Sequence, residues 1–387
     1  MTRSFTVKLG SRARMQIARD GLQPRDITCV PAAAGGPKGL ALIPLDRWLF
    51  GDWFARGANG TGSPHNPTLI GASIGAWRMA AAAQTDPVAA LNELSRTYIE
   101  DQIYESNPSP ADVAKLIRML ANSTYRRIGN RWAPRADARL RVVTARADGA
   151  LLGDASRTGF AKAALANALG RPRLARHLRR VVFASGPASP LDRVLRGAAD
   201  AGGANATAGA GDGHTGFDTF GAELLPLTPA NAEDALRASG SIPLICDPVK
   251  IAGAAAAMPP GWYWDGGLVD YHLFYPYSQL DGLVLYPHFI DGIVPGWLDK
   301  FVPWRKQGVG GRGSEWLANV ILISPSRQFL CTLPNGVLPD RNDFYRHGVE
   351  HQRRIAEWKR AAAECQRFAD ETAAWLMKPD LSIARTL

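Results

Sequence analysis

Apolar and polar positions alternate along this chain in two kinds of segment. Short apolar runs typical of buried strands occur at residues 26–31, 68–71, 139–145, 180–184, 281–286 and 319–324. Segments of helical composition lie between or after them, at 40–50, 77–84, 88–101, 111–122, 158–169, 230–239 and 343–377. Strands that alternate with helices predict an α/β fold, a three-layer sandwich with a mainly parallel central sheet.

Punctuation along the chain predicts where these elements begin and end. Asp86 and Pro87 supply a cap and a first-turn proline for one helix, and Gly240 ends the helix at 230–239. Residues 199–216 are almost wholly Gly, Ala, Asn, Thr and Asp, which predicts a flexible loop. We therefore expect an N-terminal segment at 1–25, an α/β domain at 26–330 and a C-terminal helical extension at 331–387.

Two glycine-rich turns follow successive strands. The first contains Gly35 and Gly36, then Lys38 and Gly39, and leads into the helical segment at 40–50. The second is Gly-Ala-Ser-Ile-Gly at 71–75 and leads into the helical segment at 77–84. Two strand-to-helix turns in succession predict neighbouring parallel strands with both turns at one edge of the sheet.

The second turn fits the nucleophile elbow pattern. Gly71 and Gly75 flank Ser73, because side chains at either position would collide with the strand or the helix. The serine at the apex has a strained backbone, and the N-terminus of the next helix points its positive end toward it. An ordinary glycine-rich turn has the same pattern, so the residues that accompany the serine decide between the two.

A serine that attacks an acyl group needs a base and hydrogen-bond donors for the oxyanion. The loop of Gly35 and Gly36, with Lys38 close by, offers donors upstream of the serine. Asp265, followed by Gly266 and Gly267, offers a carboxylate at the end of a strand. The three pieces together favour the nucleophile interpretation of Ser73.

In this order, the glycine loop, Gly-x-Ser-x-Gly and Asp-Gly-Gly resemble the patatin-like phospholipase family, as does the stretch at 235–243. The resemblance covers roughly residues 26–290. It implies an acyl hydrolase for phospholipids or other long-chain esters, with a Ser–Asp dyad and no catalytic histidine, metal or cofactor. The residues it implies are Ser73 as nucleophile, Asp265 as base, and the N–H groups of Gly35, Gly36 and Ile74 for the oxyanion.

The chain departs from the family pattern at two places. The family's loop usually begins Asp-Gly-Gly-Gly, whereas residues 33–36 are Ala-Ala-Gly-Gly. Ala34 fits only if its φ is negative, and Pro37 has no N–H to donate. After Gly267 the family usually has asparagine and proline, whereas this chain has leucine and valine. His272, seven residues after Asp265, leaves a Ser–His–Asp triad as an alternative.

A different class, a zinc hydrolase, is the second alternative. His347, Glu350 and His351 fit H-x-x-E-H, which would place both histidines on one face of a helix. The sequence indicates no third ligand, and a solvated helix face has the same pattern. Residues 308–313 contain GxGxxG but follow a polar stretch in place of a strand, so a loop is expected there.

The net charge of +10 is concentrated between residues 126 and 180, which hold 14 Lys or Arg against three Asp. Tryptophans alternate with basic residues at 296–306. Both segments predict peripheral contact with an anionic membrane surface. The alternatives are a solvated arginine-rich surface and tryptophans that wall the acyl pocket. No nucleic-acid partner is expected.

The four cysteines lie far apart, no apolar run reaches the ~20 residues of a membrane span, and the N-terminus lacks a signal-peptide core. We therefore expect a cytoplasmic protein, peripheral at the membrane if it binds there. A catalytically idle membrane-surface protein of the same fold is the third alternative.

Overall fold

The computed structural model describes residues 3–56, 65–104, 115, 134–151, 157–197, 220, 222–251, 261–302 and 314–387. Its strands are β1 (Phe5–Leu9), β2 (Ile27–Ala32), β3 (Thr68–Ala72), β4 (Arg139–Ala147), β5 (Leu178–Ser185), β6 (Ala222–Pro226), β7 (Val249–Ile251), β8 (Gly261–Asp265), β9 (Leu283–Pro287), β10 (Val320–Pro325) and β11 (Arg385–Thr386). Its helices are α1 (Ser11–Asp20), α2 (Ile43–Trp48), α3 (Ile74–Ala82), α4 (Pro87–Glu100), α5 (Arg157–Leu169), α6 (Arg171–Leu174), α7 (Pro190–Arg196), α8 (Ala232–Ser239), α9 (Gly267–Asp270), α10 (Arg327–Leu330), α11 (Asn342–His347) and α12 (His351–Met377).

The strands form one central sheet in the order β11-β1-β10-β9-β2-β3-β4-β5-β6, and β8 pairs with both β4 and β7. The run from β10 through β9, β2 and β3 to β4 is parallel, whereas β1/β10, β4/β5, β4/β8 and β7/β8 are antiparallel. Helices flank the sheet, so the predicted α/β class with a mostly parallel sheet is confirmed.

The strands predicted from apolar runs are confirmed as β2, β3, β4, β5, β9 and β10. The strand β1 was not predicted, because it alternates buried and half-buried residues within a polar start. It pairs with β10, and β11 near the C-terminus pairs with β1. Both flanking segments thus add a strand to the sheet, while the domain boundaries at 25/26 and 330/331 stay predictions.

Several sequence expectations fall outside the described residues. These are the helix at 111–122, the flexible loop at 199–216 and the GxGxxG stretch at 308–313. The expected helix at 40–50 consists of three successive segments with different helical geometry. A 3-10 helix (Gly36–Leu42) leads into α2, and a π-helical turn (Leu49–Trp53) follows it.

Three of the 14 basic residues in the segment at 126–180 are internal in the part that the structure describes. Three arginines of this segment are buried in ion pairs: Arg141 with Asp192, Arg171 with Asp299, and Arg180 with Asp270. Burial of an arginine requires such a partner, because an unpaired charge loses its hydration. The expectation of one basic surface is therefore wrong for these three residues. No helix among the described residues is long and apolar enough to cross a membrane.

A buried ion pair anchors the helix that follows Ser73. All nine residues of α3 are buried, so the arginine on it needs an internal partner. Arg78 donates from Nε to Asp46 Oδ2 at 2.6 Å and from Nη2 to Asp46 Oδ1 at 2.8 Å. Asp46 lies on α2, so the pair fixes α3 to the helix that follows the glycine loop.

We predict that Asp46→Ala lowers the free energy of unfolding by about 3–5 kcal/mol, because it leaves the Arg78 charge buried without a partner. Urea unfolding measures the loss. The double variant Asp46→Leu/Arg78→Met should be more stable than Asp46→Ala, since it buries no charge. Asp20→Ala, which removes the exposed pair with Arg19, should leave the free energy of unfolding nearly unchanged. Equal losses in Asp46→Ala and Asp20→Ala would contradict the interpretation.

Candidate active site

Ser73 occupies the whole turn between β3 and α3. The strand ends at Ala72 and the helix begins at Ile74, so a single residue reverses the chain direction. Its φ of 56° and ψ of −131° lie in a region that L-residues rarely adopt. Such a conformation costs about 1–3 kcal/mol and persists where the surroundings impose it. The predicted nucleophile elbow is therefore present.

The two flanking glycines permit this turn through close backbone approach. A Cβ on Gly75 would overlap the carbonyl of Ala32 at the end of β2, and a Cβ on Gly71 would overlap the backbone of Gly75 and Ala76. Both overlaps are with backbone, which cannot rotate away. The elbow therefore packs directly against the strand that carries the glycine loop.

Strand pairing brings Asp265 to Ser73. On one side of β4, β3 pairs in parallel as far as Ala72 opposite Val143. On the same side the next residue, Thr144, is opposite Asp265, the last residue of the antiparallel β8. The C-terminal ends of β3 and β8 therefore meet along β4. Ser73, the residue after β3, is brought next to Asp265 although 192 positions separate them.

Asp265 is buried and is a hydrogen-bond partner of Ser73. The Ser73 hydroxyl donates to its carboxylate, and the Gly267 N–H donates to Oδ1 at 2.7 Å. Burial raises the pKa of Asp265 to about 6, while these two hydrogen bonds and the charges of Arg341 and Lys300 oppose the rise. A carboxylate with this pKa is ionised at neutral pH yet basic enough to accept a proton from a hydroxyl.

Ser239, the last residue of α8, and Ser241, just after it, hold both members of this pair. Ser239 Oγ accepts the Ser73 N–H at 2.9 Å and donates to the Val143 carbonyl at 2.7 Å. The Ser241 carbonyl accepts the Asp265 N–H at 2.9 Å. Sequence reasoning noted the stretch at 235–243 but assigned no role to Ser239, because a serine that binds backbone groups has no pattern of its own.

The predicted oxyanion donors surround the elbow. Gly36 has a φ of 57° and begins the 3-10 helix, while Ile74 begins α3, so neither N–H has an intrahelical acceptor. Among the described residues, no backbone or side-chain acceptor binds the N–H of Gly35, Gly36 or Ile74. Ala34 has no positive φ, as its place in the loop requires, and its N–H is occupied by the Tyr271 carbonyl at 2.9 Å.

The other motif residues have packing roles. A Cβ on Gly39 would lie 2.8 Å from Ile74 Cγ1, a Cβ on Gly266 would overlap the Val143 carbonyl, and one on Gly267 would lie 2.8 Å from Ala34 Cβ. Lys38 lines the cavity beside the site, away from the pocket of Ser73.

His272 belongs to a buried cluster of rings beside the dyad. Its Nδ1 accepts the Val294 N–H at 2.9 Å, and its ring lies 4.3 Å from those of Tyr271 and His288. Burial holds the pKa of His272 well below its usual value. Asp265 has the Ser73 hydroxyl and the Gly267 N–H as its hydrogen-bond donors, so the geometry favours a Ser–Asp pair over a triad.

The zinc motif does not form on one helix, so that expectation is wrong. Gly348, with a φ of 51°, ends α11 after His347, and α12 begins at His351. His347 Nε2 lies 3.1 Å from Glu357 Oε2. In the part of the chain that the structure describes, no three His, Cys, Asp or Glu side chains are grouped to hold a metal ion.

A small pocket opens onto the dyad and adjoins a larger cavity. Ser73, Asp265, Gly35, Trp297 and Arg341 are among its lining residues, and its free volume of about 10 Å³ holds one water. The neighbouring cavity, of about 420 Å³, shares the Tyr271 wall. Trp297 therefore walls the pocket, which was one of two alternatives for the segment at 296–306; residues 303–306 are not described.

The fold and the site together define an α/β protein in which a serine at a strand-to-helix elbow is a hydrogen-bond partner of an aspartate at the end of another strand. The family model described as patatin-like phospholipase matches residues 67–277, more than half of the 387 residues. The chain belongs to the patatin-like phospholipase family. The match includes Ser73 and Asp265 but excludes the glycine loop and Arg341. A comparison with curated proteins gives no match.

We predict that Asp265→Asn stabilises the protein at neutral and alkaline pH. Since the folded pKa is about 6 against an ordinary value of 3.8, ionised Asp265 costs stability as pH rises from 3.8 through 6. At ~1.4 kcal/mol per unit the cost reaches about 3 kcal/mol. Urea unfolding should show that gain for the variant at pH 8 and about half of it at pH 5.

The exposed Asp281→Asn is the control for loss of a carboxylate and should show no gain that grows with pH. A gain for Asp265→Asn that is the same at both pH values would contradict burial of the charge as its cause.

Proposed function

We propose that the protein is a lipid acyl hydrolase that cleaves carboxylic esters of phospholipids or other long-chain lipids through an acyl-serine intermediate. The meeting of the strained Ser73 with the buried Asp265, at strand ends that adjoin along β4 and in one pocket, is the observation that carries the proposal. Family membership supports the lipid substrate class. No step in this proposal uses a metal or cofactor.

In the acylation step, Ser73 Oγ bonds to the ester carbonyl carbon while its proton moves to the Asp265 carboxylate. The tetrahedral intermediate then expels the alcohol, which takes the proton from Asp265. In deacylation, Asp265 removes a proton from water, the hydroxide adds to the acyl carbon, and Ser73 regains a proton as the fatty acid leaves. One carboxylate thus serves as base and acid in turn.

The N–H groups of Gly35, Gly36 and Ile74 stabilise the oxyanion. Gly35 lies against the ring of Phe289 and Ile74 lies against Gly39, so this backbone is held in place before the charge develops. Removal of one such donor typically costs ~3 kcal/mol of transition-state stabilisation. The N-terminus of α3 adds a positive partial charge beside Ser73. Pro37 contributes no donor, so the hole uses the glycines before it.

We predict that a fluorophosphonate probe labels the native chain at Ser73 and fails to label Ser73→Ala. Asp265→Asn should slow labelling by at least about 100-fold, because general-base catalysis contributes factors of 10² to 10⁴. The native labelling rate should fall as pH drops below about 6, where Asp265 takes up a proton. Gel fluorescence and mass spectrometry of the labelled peptide give the rate and the site.

Ser382→Ala, at an exposed serine, is the matched control and should be labelled like the native chain. Labelling that persists in Ser73→Ala would remove the nucleophile assignment. His272→Ala as slow as Asp265→Asn would replace the dyad with a triad. A native chain that takes no label and hydrolyses no ester would support the catalytically idle alternative.

We also propose that the mouth of the pocket docks on a lipid surface. Phe301 is 72% exposed and follows the pocket residue Trp297 by four positions, while Leu244 is 54% exposed beside the pocket residue Pro243. Exposed apolar side chains at the entrance of a site insert into the headgroup region of a bilayer. The cytoplasmic location with peripheral membrane contact remains part of this proposal.

We predict that Phe301→Ser and Leu244→Ser each weaken binding to phosphatidylglycerol-rich vesicles by about 10- to 100-fold, because each removes an exposed apolar side chain whose burial in the lipid is worth about 1.5–3 kcal/mol. Vesicle co-sedimentation measures the binding. Met15→Ser, at an exposed methionine on α1, should bind like the native chain. Binding that ignores both the fraction of anionic lipid and the salt concentration would exclude the electrostatic part of the proposal.

A further inference from the structure

Arg341 is a cation of the C-terminal extension that lines the pocket of Ser73 and Asp265. It immediately precedes α11 and lies outside the part of the chain that matches the family. A Cβ on Gly36 would lie 3.6 Å from its Nε, so the guanidinium borders the glycine loop. The site is thus completed by a segment remote in sequence.

The guanidinium of Arg341 has no hydrogen bond or ion pair with a described residue, although it is half-buried. The acids next to it are occupied elsewhere. Asp340 Oδ1 accepts the Asn342 N–H at 2.7 Å, while Asp343 binds Arg346 and accepts the Trp358 Nε1–H at 2.7 Å. Among the buried arginines of the described residues, 78, 141, 171 and 180 have aspartate partners, and Arg354 donates to the carbonyls of Ile99 and Gln102.

Two lysines extend this positive charge along the neighbouring cavity. Lys300 lies with Nζ 3.9 Å from the ring centroid of Tyr271, the residue that lines both the pocket and the cavity. Lys38 lines the same cavity, and neither lysine forms an ion pair within the described residues. Burial, with the charges of Lys38 and Arg341, lowers the pKa of Lys300 to about 7.

Three basic side chains in this arrangement lie near three carboxylates that are each engaged elsewhere. Asp265 is engaged with Ser73 and Gly267, Asp291 of the cavity wall with Lys8, and Asp340 with the Asn342 N–H. Half-buried cations without acid partners are costly, and an anionic ligand relieves that cost. The pocket at Ser73 holds only a water, whereas the cavity of about 420 Å³ has the size for a headgroup. Guanidinium geometry matches two phosphate oxygens at once.

We propose that Arg341, with Lys300 and Lys38, forms an anion subsite that binds the phosphate group of an ester substrate beside the scissile bond. The subsite rests on the proposed hydrolase function and narrows its substrate to lipids that carry a phosphate near the ester. Arg341 holds the phosphate where the pocket meets the glycine loop, and the lysines hold it from the cavity side.

The test compares two soluble substrates with identical short acyl chains, a diacylglycerol phosphate and the neutral diacylglycerol. Arg341→Gln should lower kcat/KM for the phosphate substrate by about 10- to 100-fold, the range for a lost charge-assisted hydrogen bond. Its loss on the neutral substrate should be at least tenfold smaller, and Arg341→Lys should recover part of the difference. Arg353→Gln, at an exposed arginine of the same extension, is the control.

Equal losses on both substrates would assign Arg341 a structural role and overturn the subsite. Inorganic phosphate separates a lipid headgroup from a free anion as the ligand. If phosphate binds in an Arg341-dependent way while the two lipids are hydrolysed equally well, the site takes free phosphate and the substrate proposal is wrong.

A second arm does not depend on turnover. Calorimetry measures binding of the diacylglycerol phosphate to Ser73→Ala and to Ser73→Ala/Arg341→Gln, and the second variant should bind about tenfold or more weakly. Equal affinities would overturn the subsite even if the native enzyme hydrolyses lipids. The chain could also bind the diacylglycerol phosphate in an Arg341-dependent way yet neither hydrolyse esters nor react with the fluorophosphonate probe. That result would retain the subsite and reject the hydrolase function.

Discussion

The head-to-head meeting of β3 and β8 along β4 is the constraint on which the site depends. Because Ala72 and Asp265 occupy consecutive positions opposite β4, the residue after one strand and the residue at the end of the other are neighbours. A change of one residue in either register would point a side chain to the opposite face of the sheet. The stretch around Ser239 and Ser241 then fixes both ends through backbone hydrogen bonds.

Neighbouring strands and helices hold the other parts of the site around this meeting point. The parallel strand β2 delivers the glycine loop to the same edge, and the Ala32 carbonyl leaves no space for a side chain at position 75. The buried pair of Arg78 and Asp46 fixes α3 relative to α2. The packing of these elements therefore holds Ser73 in its strained conformation. That conformation costs free energy and persists because its surroundings impose it.

The sequence predicted those parts whose chemistry is local. Strands in continuous apolar runs, the capped helix α4 and the elbow at Ser73 each follow from nearby residues. The order of motifs then predicted the pairing with Asp265. The strand β1 was missed because its alternating pattern lies in a polar segment. The break at Gly348 was missed because a single glycine is compatible with a helix until packing decides otherwise.

The distribution of charged residues shows which part of the site could not be predicted from the sequence. A count along the chain placed the excess at residues 126–180, yet three arginines there pair internally with aspartates that come later in the sequence. The basic side chains at the site that form no ion pair with a described residue, Lys38, Lys300 and Arg341, come from three distant segments that individually carry no signal. Net charge per segment measures composition, whereas ligand binding depends on which charges folding leaves without a partner. The location of the anion subsite is thus a property of the tertiary structure.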